Sequence, residues 1–319
     1  MEDLLAALRA AAEPTRLRLL ALAARGSFYV TELCEILGQS QPRLSRHLKL
    51  MTDAGLLERI PEGANVWYAL PAGARGDLAR DLAARLPSDD ALLAADRREA
   101  ARVVAERARA ASESFRKQGV DWDEIRALDL PAEMVEKTLL EHLPDVGLGR
   151  MVDIGTGTGR MLELLASRIE SGTGIDASKA MLALARARLA REGLGHCGVR
   201  QADMYRLPLA DSSCDLALMQ MVLHYAEDPE GAIAEAARVL RPGGRLLVID
   251  LLAHTRQEIV QRFAHRWPGF GRDSVEKMLI ANGLRPGPML TVKAALPVAI
   301  WPSERLAAAT PEQFAELAV

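Results

Sequence analysis

An apolar segment that gives way to glycine at every second position, Val152-Asp153-Ile154-Gly155-Thr156-Gly157-Thr158-Gly159, leaves few folds open to this chain. Glycines in such a run let the backbone approach a ligand closely and leave the N-terminus of the following helix free to meet it. Apolar strand patterns stand at 150–154, 173–176, 199–202, 215–219 and 245–250, with helical periodicity after the first, second and fourth. Strands alternating with helices predict a parallel, doubly wound α/β sheet. A dinucleotide fingerprint would place its third glycine at 160, where Arg160 stands, so the loop is of another kind.

The first 72 residues read differently. Apolar residues recur at helical spacing over 2–37, with Pro14 suited to a first turn and Gly26 and Gly38 closing segments, so three short helices are expected. Ser40 is placed to cap a fourth, 41–54, which Gly55 ends. Strand patterns at 56–60 and 66–70 flank the turn-rich Pro61-Glu62-Gly63-Ala64-Asn65 and predict a hairpin. Helices followed by a hairpin are the order of a winged helix. Beyond the break at 71–76, an Ala- and Arg-rich stretch at 88–118 predicts a long helix, with Leu93, Ala100, Val103, Val104, Ala108, Ala111 and Phe115 along one side. That stripe needs a partner, either its own domain or a dimer mate. A multidomain chain follows: a winged helix at 1–72, mostly α with a β-hairpin wing, a helical linker and dimerisation segment at 73–130, and an α/β domain at 131–319. A length of 319 residues suits two such cores.

A formal net charge of −3 excludes a polyelectrolyte built to coat nucleic acid, so any DNA contact must come from a local basic patch. The helix after Ser40 supplies one: Leu44, Leu48 and Met51 fall on one face, Arg43, Arg46 and Lys49 on the other, and no acid lies between Gln39 and Lys49. Gln41, Ser45 and His47 add groups that read base edges, and Arg43 or Arg46 can address guanine. A solvated surface face is the competing reading. Cys34, Cys197 and Cys214 form no C-x-x-C pair, which leaves neither a disulfide framework nor a cysteine zinc site. Glu2 and Asp3 stand where a signal peptide carries positive charge, and no apolar run approaches the roughly 20 residues that span a bilayer. A cytoplasmic chain without membrane contact is expected.

The segments Glu13-Pro14-Thr15-Arg16-Leu17-Arg18-Leu19-Leu20, Gln39-Ser40-Gln41-Pro42-Arg43-Leu44-Ser45-Arg46-His47-Leu48-Lys49 and Ala54-Gly55-Leu56-Leu57 resemble the ArsR/SmtB family of winged-helix repressors. The resemblance implies a homodimer on double-stranded operator DNA, a recognition helix at 41–53 and a wing around 63–68. It implies DNA contacts by Ser40, Gln41, Arg43, Ser45, Arg46, His47, Lys49 and Asn65. Metal-sensing members carry Cys-x-Cys where this chain has Tyr29 and Thr31, so no metal is expected.

The glycine run, with Asp153 before it, is similar to the first motif of class I methyltransferases. The likeness covers about 131–300 and includes Gln201-Ala202-Asp203-Met204 and Arg238-Val239-Leu240-Arg241-Pro242-Gly243-Gly244. It implies S-adenosylmethionine as cofactor, or S-adenosylhomocysteine as product or effector. The implied cofactor residues are Asp153, Gly155, Thr156, Gly157 and Gly159; Asp176 on the ribose hydroxyls, with Ala177 and Met181; Asp203 and Met204 at adenine; and Gln220 and Met221 beside the methyl donor. Met219-Gln220-Met221-Val222 lacks the pattern of amino-directed DNA methyltransferases, and the cysteines of arsenite methyltransferases are missing. What remains resembles the small-molecule branch that acts on quinones and sterols. His224 and Tyr225 are then candidates to accept a proton or orient the acceptor, against a merely packed histidine. His265, Trp267, Pro268 and Gly269 offer a lid, or only packing.

These readings together predict a transcriptional regulator whose second domain binds the cofactor and methylates a small molecule. The alternatives are a metabolic methyltransferase that keeps the winged helix for dimerisation, and a nucleic-acid methyltransferase. Stretch 88–118, as the only covalent path between the domains, is expected to carry any coupling between them.

Overall fold

The computed structural model describes residues 1–62, 65–71, 74–117, 131–263 and 265–307. They fall into two compact units. One takes the described residues within Met1–Val120, Thr156–Ala166 and Ser171–Gln201, and the other takes the remainder.

Unit 1 begins with α1 (Glu2–Ala11), α2 (Pro14–Ala23), the short strand β1 (Phe28–Tyr29), α3 (Val30–Leu37) and α4 (Gln41–Asp53). Pro14 opens α2, and the Glu13 carboxylate accepts the Arg16 N–H at 2.9 Å, which satisfies one donor of the first turn. Gly38, in the left-handed conformation, closes α3. Ser40 stands at the N-cap of α4, but its side chain makes no capping bond; only its carbonyl is used, by the Leu44 N–H at 3.1 Å. The hairpin β2 (Glu58–Glu62) and β3 (Asn65–Ala69) pairs with β1 in the order β1-β3-β2. Leu19, Leu20, Leu33, Leu44, Leu48 and Met51 fill one core, each side chain stabilising the fold by about 1.5–3 kcal/mol through burial.

Two further helices complete this packing: α5 (Ala74–Ala84), at the start of the stretch read as a helical linker, and α6 (Ala91–Lys117). The α6 stripe is covered within the chain: Ala100, Val103 and Val104 join the winged-helix core, Leu93 is buried, and Asp96 takes Arg18 in a two-pronged pair at 2.7 and 2.6 Å. The side chains of Ala111 and Phe115 lie outside the described residues. Unit 1 also holds α8 (Arg160–Leu165), the parallel pair β5 (Ser171–Asp176) and β6 (Cys197–Gln201), and α9 (Lys179–Arg191) between them. One face of α9 buries Leu182, Ala185 and Leu189, while Ala187 and Ala190 pack on the winged-helix core.

Unit 2 contains α7 (Ala132–His142), β4 (Arg150–Ile154), β7 (Cys214–Gln220), α10 (Pro229–Val239), β8 (Leu240–Leu251), α11 (Gln257–Arg262), α12 (Arg272–Ala281), β9 (Leu284–Pro286), β10 (Leu290–Val292) and β11 (Val298–Arg305). Within unit 2 the sheet has the order β10-β11-β8-β7-β4, with β9 on β11. It is mixed where the sequence pattern predicts an all-parallel sheet, because β11 runs antiparallel to β8. An antiparallel strand on the edge of a parallel sheet is a common completion. Here Val298, Ala299, Ile300 and Trp301 cover β8.

Candidate cofactor site and nucleic-acid interface

The DNA-reading expectation rests on α4. Leu44, Leu48 and Met51 are buried to the last atom, which leaves Gln41, Arg43, Ser45, Arg46 and Lys49 on the opposite, exposed face with Ser40 just before it. His47 departs from the set: it is largely covered, and its Nδ1 lies 3.7 Å from the Glu13 carboxylate. It turns toward α2 because position 47 flanks the buried seam. Lys49 pairs with Asp53 at 2.8 Å, an exposed i,i+4 contact that water and salt screen. Asn65 opens β3, and its side chain lies outside the described residues, as do Gly63 and Ala64.

The rest of the wing is not free. Trp67 of β3 is 1% exposed: Tyr29 stacks on it with ring centroids 3.5 Å apart, the Arg186 guanidinium of α9 sits 3.8 Å from its centroid, and that of Arg107 4.9 Å. Arg186 also grips Glu62 of β2, with both side chains almost fully buried, and Arg107 meets Glu32 at 3.2 Å. Burial pushes the Tyr29 phenol up to about 12, aided by the Glu62 charge. Among the described residues no atom accepts from Trp67 Nε1, Arg107 Nε and Nη2 or Arg186 Nε, and each unmet buried donor costs about 1–3 kcal/mol. Arg200 adds a half-exposed pair to Glu58 at 2.7 Å.

In unit 1, β5 finishes at Asp176, where the sequence reading expects the cofactor. Its carboxylate accepts the Gly157 N–H at 2.9 Å and the Ser178 N–H at 2.8 Å. Burial pushes this carboxyl up, and the two N–H donors pull it back, with a net rise. Gly157 reaches this position with φ +53°, a conformation that side chains rarely adopt. Thr156 donates its N–H to Ile175 at 2.9 Å, Gly159 caps α8, and the Ser178 hydroxyl accepts from Met181 at the start of α9. Ala177 is exposed.

In unit 2, Asp153 is buried at the end of β4. A side chain on Gly155 would run into Val222, so only glycine fits there. Gln220 ends β7, and Met221 follows with φ +52°, backbone strain of the kind held at ligand sites. Asp203 is exposed and accepts the Tyr205 N–H at 3.1 Å, with Met204 half-buried between them.

His224 lies on the one-turn helix Leu223–Tyr225. Its Nδ1 meets Asp250 Oδ1 at 2.6 Å, both groups buried, and Asp250 further accepts the N–H groups of Leu223 at 2.9 Å and Leu251 at 2.7 Å. An Nδ1–H donated to that carboxylate leaves Nε2 as the ring's acceptor. Tyr225, exposed at its edge, and the buried His265 each stack on His224 at 4.2 Å. Burial above all lowers His265 to about 4, with the neighbouring His224 adding to the fall. Trp267 donates Nε1–H to Ala226 at 2.8 Å. Asp250 escaped the sequence reading; an acid closing the apolar run Leu246-Leu247-Val248-Ile249 was its signal.

Residues 13–59 match the model of the bacterial regulatory protein, arsR family, and residues 152–248 match that of a methyltransferase domain. The chain carries both. The methyltransferase half is 33% identical over 180 residues to a malonyl-[acyl-carrier protein] O-methyltransferase of Methylococcus capsulatus, spanning 53% of this chain and 64% of that protein. It is 29% identical over 140 residues to a ubiquinone/menaquinone biosynthesis C-methyltransferase of Desulfotalea psychrophila, 43% of this chain and 55% of the relative. Among solved structures, the YcgJ protein of Bacillus subtilis aligns over 55% of this chain and all of its own, with 17% identity and a TM-score of 0.49. This chain thus spans only about half to two thirds of the length of these two curated relatives.

S-adenosylmethionine is the cofactor that goes with such a methyltransferase domain. The residues present suit it: an anchored carboxylate at Asp176, a glycine backbone without side chains at 155 and 157, and a strained strand end at Met221. Among the described residues, no helix is long and apolar enough to cross a membrane.

Proposed function

We propose that the chain is a DNA-binding transcriptional regulator whose C-terminal half binds S-adenosylmethionine or S-adenosylhomocysteine and methylates a small molecule. The observation that carries the regulatory reading is the exposed face of α4, with Arg43 and Arg46, inside the matched arsR segment. A homodimer on a two-fold operator is supported by Leu4, Leu5 and Leu8, exposed together on α1. Three unpaired cysteines, two of them buried, fit a reducing cytoplasm.

Asp176 is assigned the ribose hydroxyls, Asp203 the adenine amine, the backbone of 155–159 with Thr156 the amino-acid part, and Gln220 and Met221 the neighbourhood of the reacting group; Asp153, Ala177, Met181 and Met204 support them. When bound, the cofactor supplies an electrophilic methyl group. His224, with Nδ1–H committed to Asp250, takes a proton from the acceptor at Nε2, and Tyr225 orients the acceptor.

A second reading, a metabolic methyltransferase that uses its winged helix for dimerisation, is favoured by the cover that α9 places on Glu62 and Trp67. Gel shifts on the DNA upstream of the protein's own gene separate the two. Binding that Arg46→Ala weakens supports the regulator; no binding at low salt leaves the enzyme.

A further inference from the structure

A wing that meets DNA should present its polar strand face to solvent, yet Glu62 and Trp67 are among the most covered side chains of unit 1. What covers them is Arg186, and Arg186 belongs to the helix that begins at the cofactor carboxylate. Asp176 holds the Ser178 N–H, Ser178 caps the first turn of α9, and Arg186 follows eight residues later, about 12 Å along the helix axis. The same helix lays Ala187 and Ala190 on the winged-helix core, so α9 ties the Asp176 end to that core.

The chemistry of the contact is that of a catch. An apolar seam would hold the wing more firmly, whereas this one buries an ion pair and leaves donors on Trp67, Arg107 and Arg186 without acceptors among the described residues. Released, those donors regain water, which offsets part of what undocking loses and lets a bias at either end shift the population.

We propose that the wing hairpin is a switch docked on α9 through Arg186, and that occupation of the Asp176–Ser178 end of the cofactor site changes its docked fraction. The methyltransferase half thereby reaches the DNA-reading half through α9, and not through stretch 88–118 alone. This rests on the cofactor reading given above.

The test is hydrogen exchange of the full chain with and without saturating S-adenosylhomocysteine, with calorimetry of the same ligand alongside. In the parent protein the ligand is expected to change exchange of the wing amides within 58–62 and 66–69 at least threefold. In the double variant Glu62→Gln/Arg186→Met, which removes both buried charges together, the wing exchanges faster and no longer responds, while calorimetric affinity stays within about twofold. Wing exchange that ignores a bound ligand in the parent, or a full response in the double variant, overturns the proposal. No heat of binding in the parent removes the cofactor reading and this proposal with it. Should circular dichroism show the double variant unfolded, Arg200→Gln, which frees the half-exposed Glu58 end, must reduce the response; a full response there counts against the switch.

Discussion

Single side chains carry the sharpest expectations. If Asp176 holds the ribose as proposed, removing it deletes two hydrogen bonds of about 1.5–3 kcal/mol each, so Asp176→Ala should bind S-adenosylhomocysteine at least tenfold more weakly by calorimetry. Affinity equal to the parent's would displace Asp176 from the site. His265 predicts a pH effect on stability. Its folded pKa of about 4 lies below the ordinary 6.5, so as pH falls the unfolded chain takes up the proton first. Stability complete above about 6.5 is lost progressively toward 4, by up to about 3 kcal/mol. His224, Asp250, His254 and Tyr225 face this ring. Thermal midpoints at pH 7 and pH 4.5 should draw together in His265→Gln, and an unchanged gap would assign the acid loss elsewhere.

At the level of elements, the polar residues of α4 are expected to divide by task. Arg46→Ala should cost most on the specific site and blur one base pair per half-site, whereas Lys49→Ala should weaken all sequences alike and flatten the salt dependence. His47→Ala should lower stability by loosening the contact with Glu13 while leaving DNA discrimination intact; the reverse pattern in a gel-shift series would restore His47 to the reading face. The split was half legible beforehand. Periodicity alone sorted Leu44, Leu48 and Met51 from Arg43, Arg46 and Lys49, because a 3.6-residue repeat fixes faces. It could not place His47, which sits at the border where a partner from another helix decides. The same limit hid β11: its apolar run is readable, but its direction depends on how α11, α12 and the short strands return the chain. Asp250 went unseen because its role appears only when the turn after β7 brings His224 to it. The glycine run and Asp176 were legible because backbone conformation and strand ends are local.

The whole molecule is expected to be a dimer through its first helix. Leu5→Glu with Leu8→Glu should yield monomers in sedimentation without loss of helical signal, and dimers that persist would move the seam elsewhere. Coupling between the halves was expected to follow the covalent path, since a sequence displays bonds and not neighbours; α9 provides a second path through space. That neighbourhood has an implication for how freely such halves can be exchanged. At Gly195 any side chain would strike the Ala24 carbonyl, and Gly26 leaves just enough room for Ala190. The fit between the halves is therefore written in residues of both, and neither is a cassette. A winged helix grafted from a relative would need a bare α-carbon opposite position 190 and an acid at position 62, and a methyltransferase domain offered in exchange would need glycine at 195 and arginine at 186. Inheritance of the two parts should be joint, each recording in its smallest residues the shape of the other.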